Sequence, residues 1–422
     1  MDEIKFLGGC LQIGGSAIAI ESPSINLLMD YGIYMDKNPL FPQEIRPKDL
    51  DAILLTHAHL DHSGGIPLLF SGVGIPRLFA TPLTIDLTQV LIHDMIQISE
   101  YYLPFGKQEL IRMTNNSKKV GYGKKKIHSS CSVQFLNAGH IPGSSSFYLE
   151  LNGKKILYTG DFNSYNTQLL NRAQLKFPKL DCVILESTYA LEEHPKREET
   201  EKNFIKKINQ IVEQEGIVLV PAFGVARSQE ILCILHKFGF KFPIFIDGMA
   251  RVVSRIFTSY PNYFRNYSLL KKAIKKAHLI SRGRRKEIER SNAISTPSVI
   301  IAPSGMLKGG TAVNYMDALA QNTQNGIFLV SFQIPDTPGQ ILADTNKWGE
   351  LDVDAQVELF NFSSHAGRNG LWELIHSLEE NPDLTVYCVH GEKESCEEFA
   401  KEITETTKFT GIAPKINESF KI

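Results

Sequence analysis

Short, continuous apolar runs recur along the chain at 52–55, 156–158, 182–185, 217–220, 299–302, 328–330 and 386–389. Their length and lack of alternation fit strands buried on both faces. Between them lie stretches with helical periodicity. In 200–214, Phe204, Ile205, Ile208, Ile211 and Val212 fall on one face, and Gly216 is placed to end the helix. Strand and helix alternate, so the pattern predicts an α/β fold. No repeat of 20 to 50 residues and no low-complexity linker divides the chain.

Polar groups collect where these runs end. The run 52–55 leads into His57, 156–158 into Asp161, 182–185 into Glu186 and 386–389 into His390. Loops at the carboxyl ends of strands project side chains from a rigid base, and α/β proteins bind ligands there. These exits are therefore expected to converge on one site.

The densest chemistry is His57-Ala58-His59-Leu60-Asp61-His62, directly after a strand and before Ser63-Gly64-Gly65. A lone histidine is more often structural than a ligand. Three imidazoles and a carboxylate in six positions would cost desolvation and repulsion without a cation to share. Zinc accepts imidazole nitrogen and carboxylate oxygen, and a catalytic zinc keeps a position open for water, so further ligands are required downstream. His140 in Ala138-Gly139-His140-Ile141-Pro142-Gly143, Asp161 in Thr159-Gly160-Asp161-Phe162 and His390 in Val389-His390-Gly391 are the candidates. Each taken singly also reads as a turn histidine or a helix-capping aspartate.

Composition adds limits. In 422 residues, 43% hydrophobic and 22% charged, 45 basic side chains meet 46 acidic ones. A net charge of −1 gives no overall attraction for nucleic acid, so any such contact must be local. The first residues are not of signal-peptide shape, and no run approaches the roughly 18 apolar residues of a membrane span. Six cysteines lie scattered without a CxxC pair, which favours reduced, buried thiols and a cytoplasmic location.

The chain resembles the metallo-β-lactamase superfamily, and within it the β-CASP branch of nucleic-acid hydrolases. Asp30 in Leu28-Met29-Asp30-Tyr31-Gly32, the His57–His62 cluster, His140 and Asp161 match the four superfamily motifs. Glu186 in Glu186-Ser187-Thr188-Tyr189, His365 in Phe362-Ser363-Ser364-His365 and His390 match the three of the branch. The pattern is similar to the endonuclease subunit of the cleavage and polyadenylation specificity factor and its archaeal relatives, with ribonuclease J more distant. The resemblance implies an αββα sandwich, residues 1–188 and 361–422, interrupted by an α/β β-CASP domain, 189–360, with a mostly parallel sheet. It also implies two zinc ions, one on His57, His59, His140 and Asp161, the other on Asp61, His62, Asp161 and His390. Asp30 would orient a ligand imidazole without touching metal. Two metals about 3.5 to 4 Å apart would activate a hydroxide held with Asp61, and His365, supported by Glu186, would protonate the leaving 3′-oxygen.

The expected substrate is single-stranded RNA, cut endonucleolytically. Exonuclease action from a 5′ end, a DNA substrate, and a weakly active scaffold role in an RNA-processing complex or homodimer are the alternatives. A small-ester hydrolase would not need the inserted domain, which is expected to cover the metal face. Within the insert, Arg227, Ser304 and Gly305 lie in stretches that look like family motifs and are the candidate phosphate contacts. The basic run 271–290, with Lys275, Lys276, Arg282, Arg284, Arg285 and Lys286, is a candidate for RNA capture, although such a run is usually a solvated helix face. The chain departs from the family pattern at Gly15, where an arginine is common, at Ala226 for glycine, at Gln340 for arginine and at Gly367 for aspartate.

Overall fold

A computed structural model of the protein describes residues 2–35, 38–72, 74–99 and 102–422. The chain forms two compact units, residues 1–166, 171–193 and 364–422 in the first, and 167–170 with 194–363 in the second.

The first unit holds two seven-stranded sheets. In one, Ser419–Lys421, Glu3–Gly8, Ala17–Glu21 and Leu27–Met29 run antiparallel, and Ala52–Leu54, Arg77–Ala80 and Ser117–Lys119 continue in parallel. In the other, Thr410–Ile412, Thr385–Val389, Cys182–Glu186 and Lys154–Tyr158 are parallel, followed by antiparallel Ser145–Leu151, Cys131–Asn137 and Gly123–His128. Ile4, Phe6, Ile18 and Ile20 of the first sheet share one buried core with Phe135, Phe147, Ile156 and Tyr387 of the second. Each outer sheet face builds its own core, one involving the helix Pro82–Ile98, the other Arg368–Ser377 and Lys393–Thr406. This is a helix–sheet–sheet–helix sandwich. The parallel strands of both sheets deliver His57, Asp161, Glu186 and His390 from their carboxyl ends.

The second unit has a six-stranded sheet in the order His278–Leu279, Ile244–Ile246, Ser298–Ala302, Ile217–Pro221, Gly326–Leu329, Gln356–Leu359, parallel at every pairing. The helix Arg197–Glu213 buries the face expected of it, Phe204, Ile205, Ile208, Ile211 and Val212, each side chain contributing about 1.5–3 kcal/mol. Its ending differs from expectation. Glu215, at φ 64°, takes the left-handed turn, and its N–H and that of Gly216 return to Val212 and Ile211. Gly216 is needed for space instead, since a Cβ there would lie 1.9 Å from the Gln324 carbonyl oxygen. The segment 167–170 joins this unit through buried Glu230, whose carboxylate accepts the backbone N–H of Gln168 and of Leu169, each at 2.9 Å.

The basic run is not one helix face. It spans the end of the helix Tyr267–Lys276, the strand His278–Leu279 and the helix Arg285–Ala293. All six cysteines are buried free thiols. Among the described residues no helix is long and apolar enough to cross a membrane.

Candidate metal centre

Asp161 is the hub of the first unit's site. Gly160, at φ 51°, turns the chain out of the strand Lys154–Tyr158 with its α-carbon against Thr56, where a Cβ would meet Thr56 Cγ2 at 2.8 Å. The Asp161 carboxylate then faces imidazoles on both sides. Oδ2 lies 3.5 Å from His57 Nε2 and 3.6 Å from His140 Nε2, and Oδ1 lies 3.2 Å from His62 Nε2 and 3.4 Å from His390 Nδ1. His390 Nε2 is 3.3 Å from Asp61 Oδ2, and His59 Nδ1 is 3.1 Å from His140 Nε2. Two donor sets result, His57, His59, His140 with Asp161, and Asp61, His62, His390 with Asp161, the atoms of each lying within 4.8 Å of one another.

The surroundings fix which nitrogen each ring presents. His62 Nδ1–H donates to Asp30 Oδ2 at 2.7 Å, and His140 Nδ1–H to the Ser364 carbonyl at 2.9 Å. Thr56 Oγ1 donates to Asp30 at 2.8 Å and so accepts from His57 Nδ1–H at 3.1 Å. Thr188 Oγ1 donates to the His390 carbonyl at 2.9 Å and accepts from its Nδ1–H at 3.2 Å. With Nδ1 engaged in this way, all four rings turn Nε2 towards the carboxylates, the nitrogen a cation would take.

Electrostatics divide the rings. Burial, reinforced by the neighbouring imidazoles, lowers the pKa of His57 and His140 well below the ordinary value and brings His59 to about 4. These three rings are neutral. His62 goes the other way, because the charges of Asp161 and Asp30 outweigh its burial. The residues present fit a divalent cation. His57 Nε2 is buried with no hydrogen bond, a costly arrangement for a polar atom unless a cation joins it.

Backbone packing holds the cluster in place. Asp61 and His62 sit on the one-turn helix Leu60–Ser63, whose carbonyls at Leu60, Asp61 and His62 accept from the N–H of Ile33, Ser16 and Tyr31. Gly32 permits this approach, since a Cβ there would stand 1.7 Å from the Asp61 carbonyl oxygen. Asp30, fully buried at φ 58°, receives the Thr56 N–H at 2.8 Å and the Tyr158 hydroxyl at 2.9 Å besides His62. Gly15, where an arginine was expected, is at φ 66°, and Gly14 beside it would place a Cβ 3.4 Å from Asp61 Cβ.

A third group borders the cations' donors. Glu186 Oε1 accepts the Phe162 N–H at 2.8 Å, and His365 Nδ1–H donates to Glu186 at 2.9 Å. This leaves His365 Nε2 3.9 Å from Asp161 Oδ2. Burial disfavours its imidazolium, but the carboxylates of Glu186 and Asp161 prevail and push its pKa up to about 9.

Arg227, Ser304 and Gly305 belong to the second unit and lie at the carboxyl ends of its parallel strands. Ser304 Oγ is buried without a hydrogen bond, and a Cβ on Gly305 would stand 2.7 Å from Ser331 Oγ. Gln340 is engaged by Asp344 at 2.8 Å, and Gly367 starts the helix Arg368–Ser377 without a side-chain cap. Thr56, Tyr158, Thr188 and the Ser364 carbonyl are site residues that sequence reasoning missed. Thr56 and Thr188 border motif residues, which is a usable signal, whereas Tyr158 reads as part of an apolar strand.

Three family models match the chain, a metallo-beta-lactamase superfamily domain over residues 19–184, a Beta-Casp domain over 228–342 and a Zn-dependent metallo-hydrolase RNA specificity domain over 350–414. "Probable RNase MJ4" of Methanocaldococcus jannaschii is 35% identical over 100% of both chains. The chain belongs to the β-CASP branch of the metallo-β-lactamase superfamily. "RNase aCSPSF2" of Saccharolobus solfataricus is a further relative, 34% identical over 99% of this chain and 85% of its own. "Transcription termination factor FttA" of Methanocaldococcus jannaschii is 30% identical, over 99% and 71%. A protein of unknown function from Enterococcus faecalis shares the fold, with a TM-score of 0.63 at 14% identity over 99% of each chain.

Proposed function

We propose that the protein is an endoribonuclease that binds two zinc ions and hydrolyses phosphodiester bonds in single-stranded RNA in the cytoplasm. The observation that carries this reading is the Glu186–His365 pair beside Asp161, because binding a metal alone needs no proton donor. Relatives across the full length named as ribonucleases support the choice of RNA. Each donor set contains only imidazole nitrogen and carboxylate oxygen, which suits zinc.

Divalent cations bound there supply Lewis acidity, lowering the pKa of water and offsetting charge gathering on the phosphoryl oxygens. The chain's own residues do the rest. Asp161 turns one oxygen to each donor set and Asp61 supplies a carboxylate to the second. Asp30, Thr56 and Thr188 are positioning residues that hold ring tautomers. Glu186 keeps a proton on His365 at neutral pH, and His365 gives it from Nε2 to the departing 3′-oxygen. The first unit is read as the metal-binding domain and the second as the substrate-binding β-CASP domain, with Arg227, Ser304 and Gly305 as phosphate contacts.

A circular single-stranded RNA has no end for an exonuclease. Wild-type protein with zinc is expected to linearise it, and His365→Ala is expected to do so more slowly by a factor of about 10² to 10⁴. Survival of the circle while linear RNA is degraded would replace the endonuclease reading with an exonuclease.

A further inference from the structure

Arg251 lies in the first turn of the helix Gly248–Phe257 in the second unit and is 6% exposed. Among the described residues, no hydrogen bond, ion pair or ring contact engages its guanidinium. Its surroundings aggravate the cost of burial. Arg282 and Arg255 are near enough for their charges to oppose it, and Arg255 follows four residues later on the same helix face. A cation in the first turn also meets the positive end of the helix dipole.

Asp247 and Glu289 offset part of that charge from positions fixed by other hydrogen bonds. Asp247 accepts from the Gly248 N–H at 2.6 Å, Arg290 Nε at 2.7 Å and the Tyr315 hydroxyl at 3.0 Å. Glu289 accepts from the Ser281 N–H at 2.5 Å and its hydroxyl at 2.8 Å. Arg255 and Arg282 are exposed and make no ion pair among the described residues. Three guanidiniums thus gather near two carboxylates, of which Asp247 is already paired with Arg290. The place is where a parallel sheet gathers ligands, since Asp247 leaves the strand Ile244–Ile246 and Ser281 and Arg282 follow its neighbour His278–Leu279.

We infer that Arg251 and Arg282, with Arg255 beside them, form a phosphate-binding subsite of the second unit that holds the backbone of the single-stranded RNA. The inference rests on the ribonuclease reading for its ligand. A guanidinium pairs with two phosphate oxygens at once, and two such forks would grip a phosphodiester whatever base it carries. The subsite sets where RNA is held and takes no part in bond cleavage.

The test measures binding of a fluorescein-labelled single-stranded RNA to the full chain, loaded with zinc and carrying His365→Ala to slow cleavage, across a range of salt. Arg251→Met and Arg282→Gln are each expected to raise Kd about tenfold at low salt and to lower the slope of log Kd against log salt by about one. Lys176→Gln, an exposed cation of the first unit, is expected to change neither by as much. Arg251→Met should unfold at the same or a higher temperature than the parent when RNA is absent, because it removes an opposed charge. A residue holding the fold together would shift it down, and that result overturns the inference. So does an unchanged Kd in both arginine variants, or an equal loss in Lys176→Gln. Inorganic phosphate that displaces RNA at equal concentration would make free phosphate the ligand and also overturn it. RNA bound through Arg251 but not cut by the zinc-loaded wild type would sink the ribonuclease reading and leave the subsite standing, whereas RNA cut with no dependence on Arg251 does the reverse.

Discussion

His365 is poised by opposed forces. Burial pulls its pKa down, and the Glu186 and Asp161 carboxylates raise it to about 9. The imidazolium is therefore present below that pH and lost as pH rises through it, so a rate that depends on the proton falls on the alkaline side. Cations on Asp161 withdraw part of the charge that holds the proton, which places the limb below pH 9 in the loaded enzyme. Glu186→Gln removes the nearer carboxylate. It is expected to move the alkaline limb of kcat to lower pH and to reduce kcat at neutral pH by about 10² to 10⁴. A kcat profile measured from pH 6 to 10 checks this, and an unmoved limb would take His365 out of the proton-donor role. The donors of this site were legible because their chemistry is crowded into few positions. The residues that hold the donors were not, since a hydroxyl such as that of Tyr158 leaves no trace in an otherwise apolar strand, and the Ser364 carbonyl carries no side-chain signal at all.

At the scale of an element, the helix Arg197–Glu213 was readable from its apolar face, and its exact end was not. Glycine suggested the stop, but Glu215 adopted the left-handed turn because the glycine was required one position later for a close approach. The helix Arg227–Lys237 shows the converse. Ala226, standing where the family carries glycine, sits at φ 67° and ψ −56°, with the Arg227 N–H donating to the Val225 carbonyl at 2.9 Å. This tight three-residue turn is strained for a residue with a Cβ. Ala226→Gly is expected to stabilise the protein by about 1 kcal/mol in urea unfolding, and a loss of stability would mean that the methyl group's packing outweighs the strain. The extent of the helices in the basic run was not readable either. Charge alone does not mark where a helix breaks, and the strand His278–Leu279 interrupts it.

Each unit of the molecule has its own sheets and cores, and each holds one of the two tryptophans, Trp372 in the first and Trp348 in the second. A bound cation stabilises only the unit that holds it, by about 2.7 kcal/mol at a free concentration 100 times its dissociation constant. Chelation is therefore expected to lower the denaturation midpoint reported by Trp372, in Trp348→Phe, and to leave that reported by Trp348, in Trp372→Phe, in place. Equal shifts in both would show the units unfolding as one. The division also sets a schedule for synthesis. His57 to Asp161 leave the ribosome early, but His365 and His390 lie beyond the whole second unit, and the strand Ser419–Lys421 pairs with Glu3–Gly8. At about 5–20 residues per second, His390 follows Asp161 by roughly 10 to 45 s. Until then the nascent chain holds an incomplete set of donors, so a nuclease translated beside its own messenger has no working site until its second unit has been made.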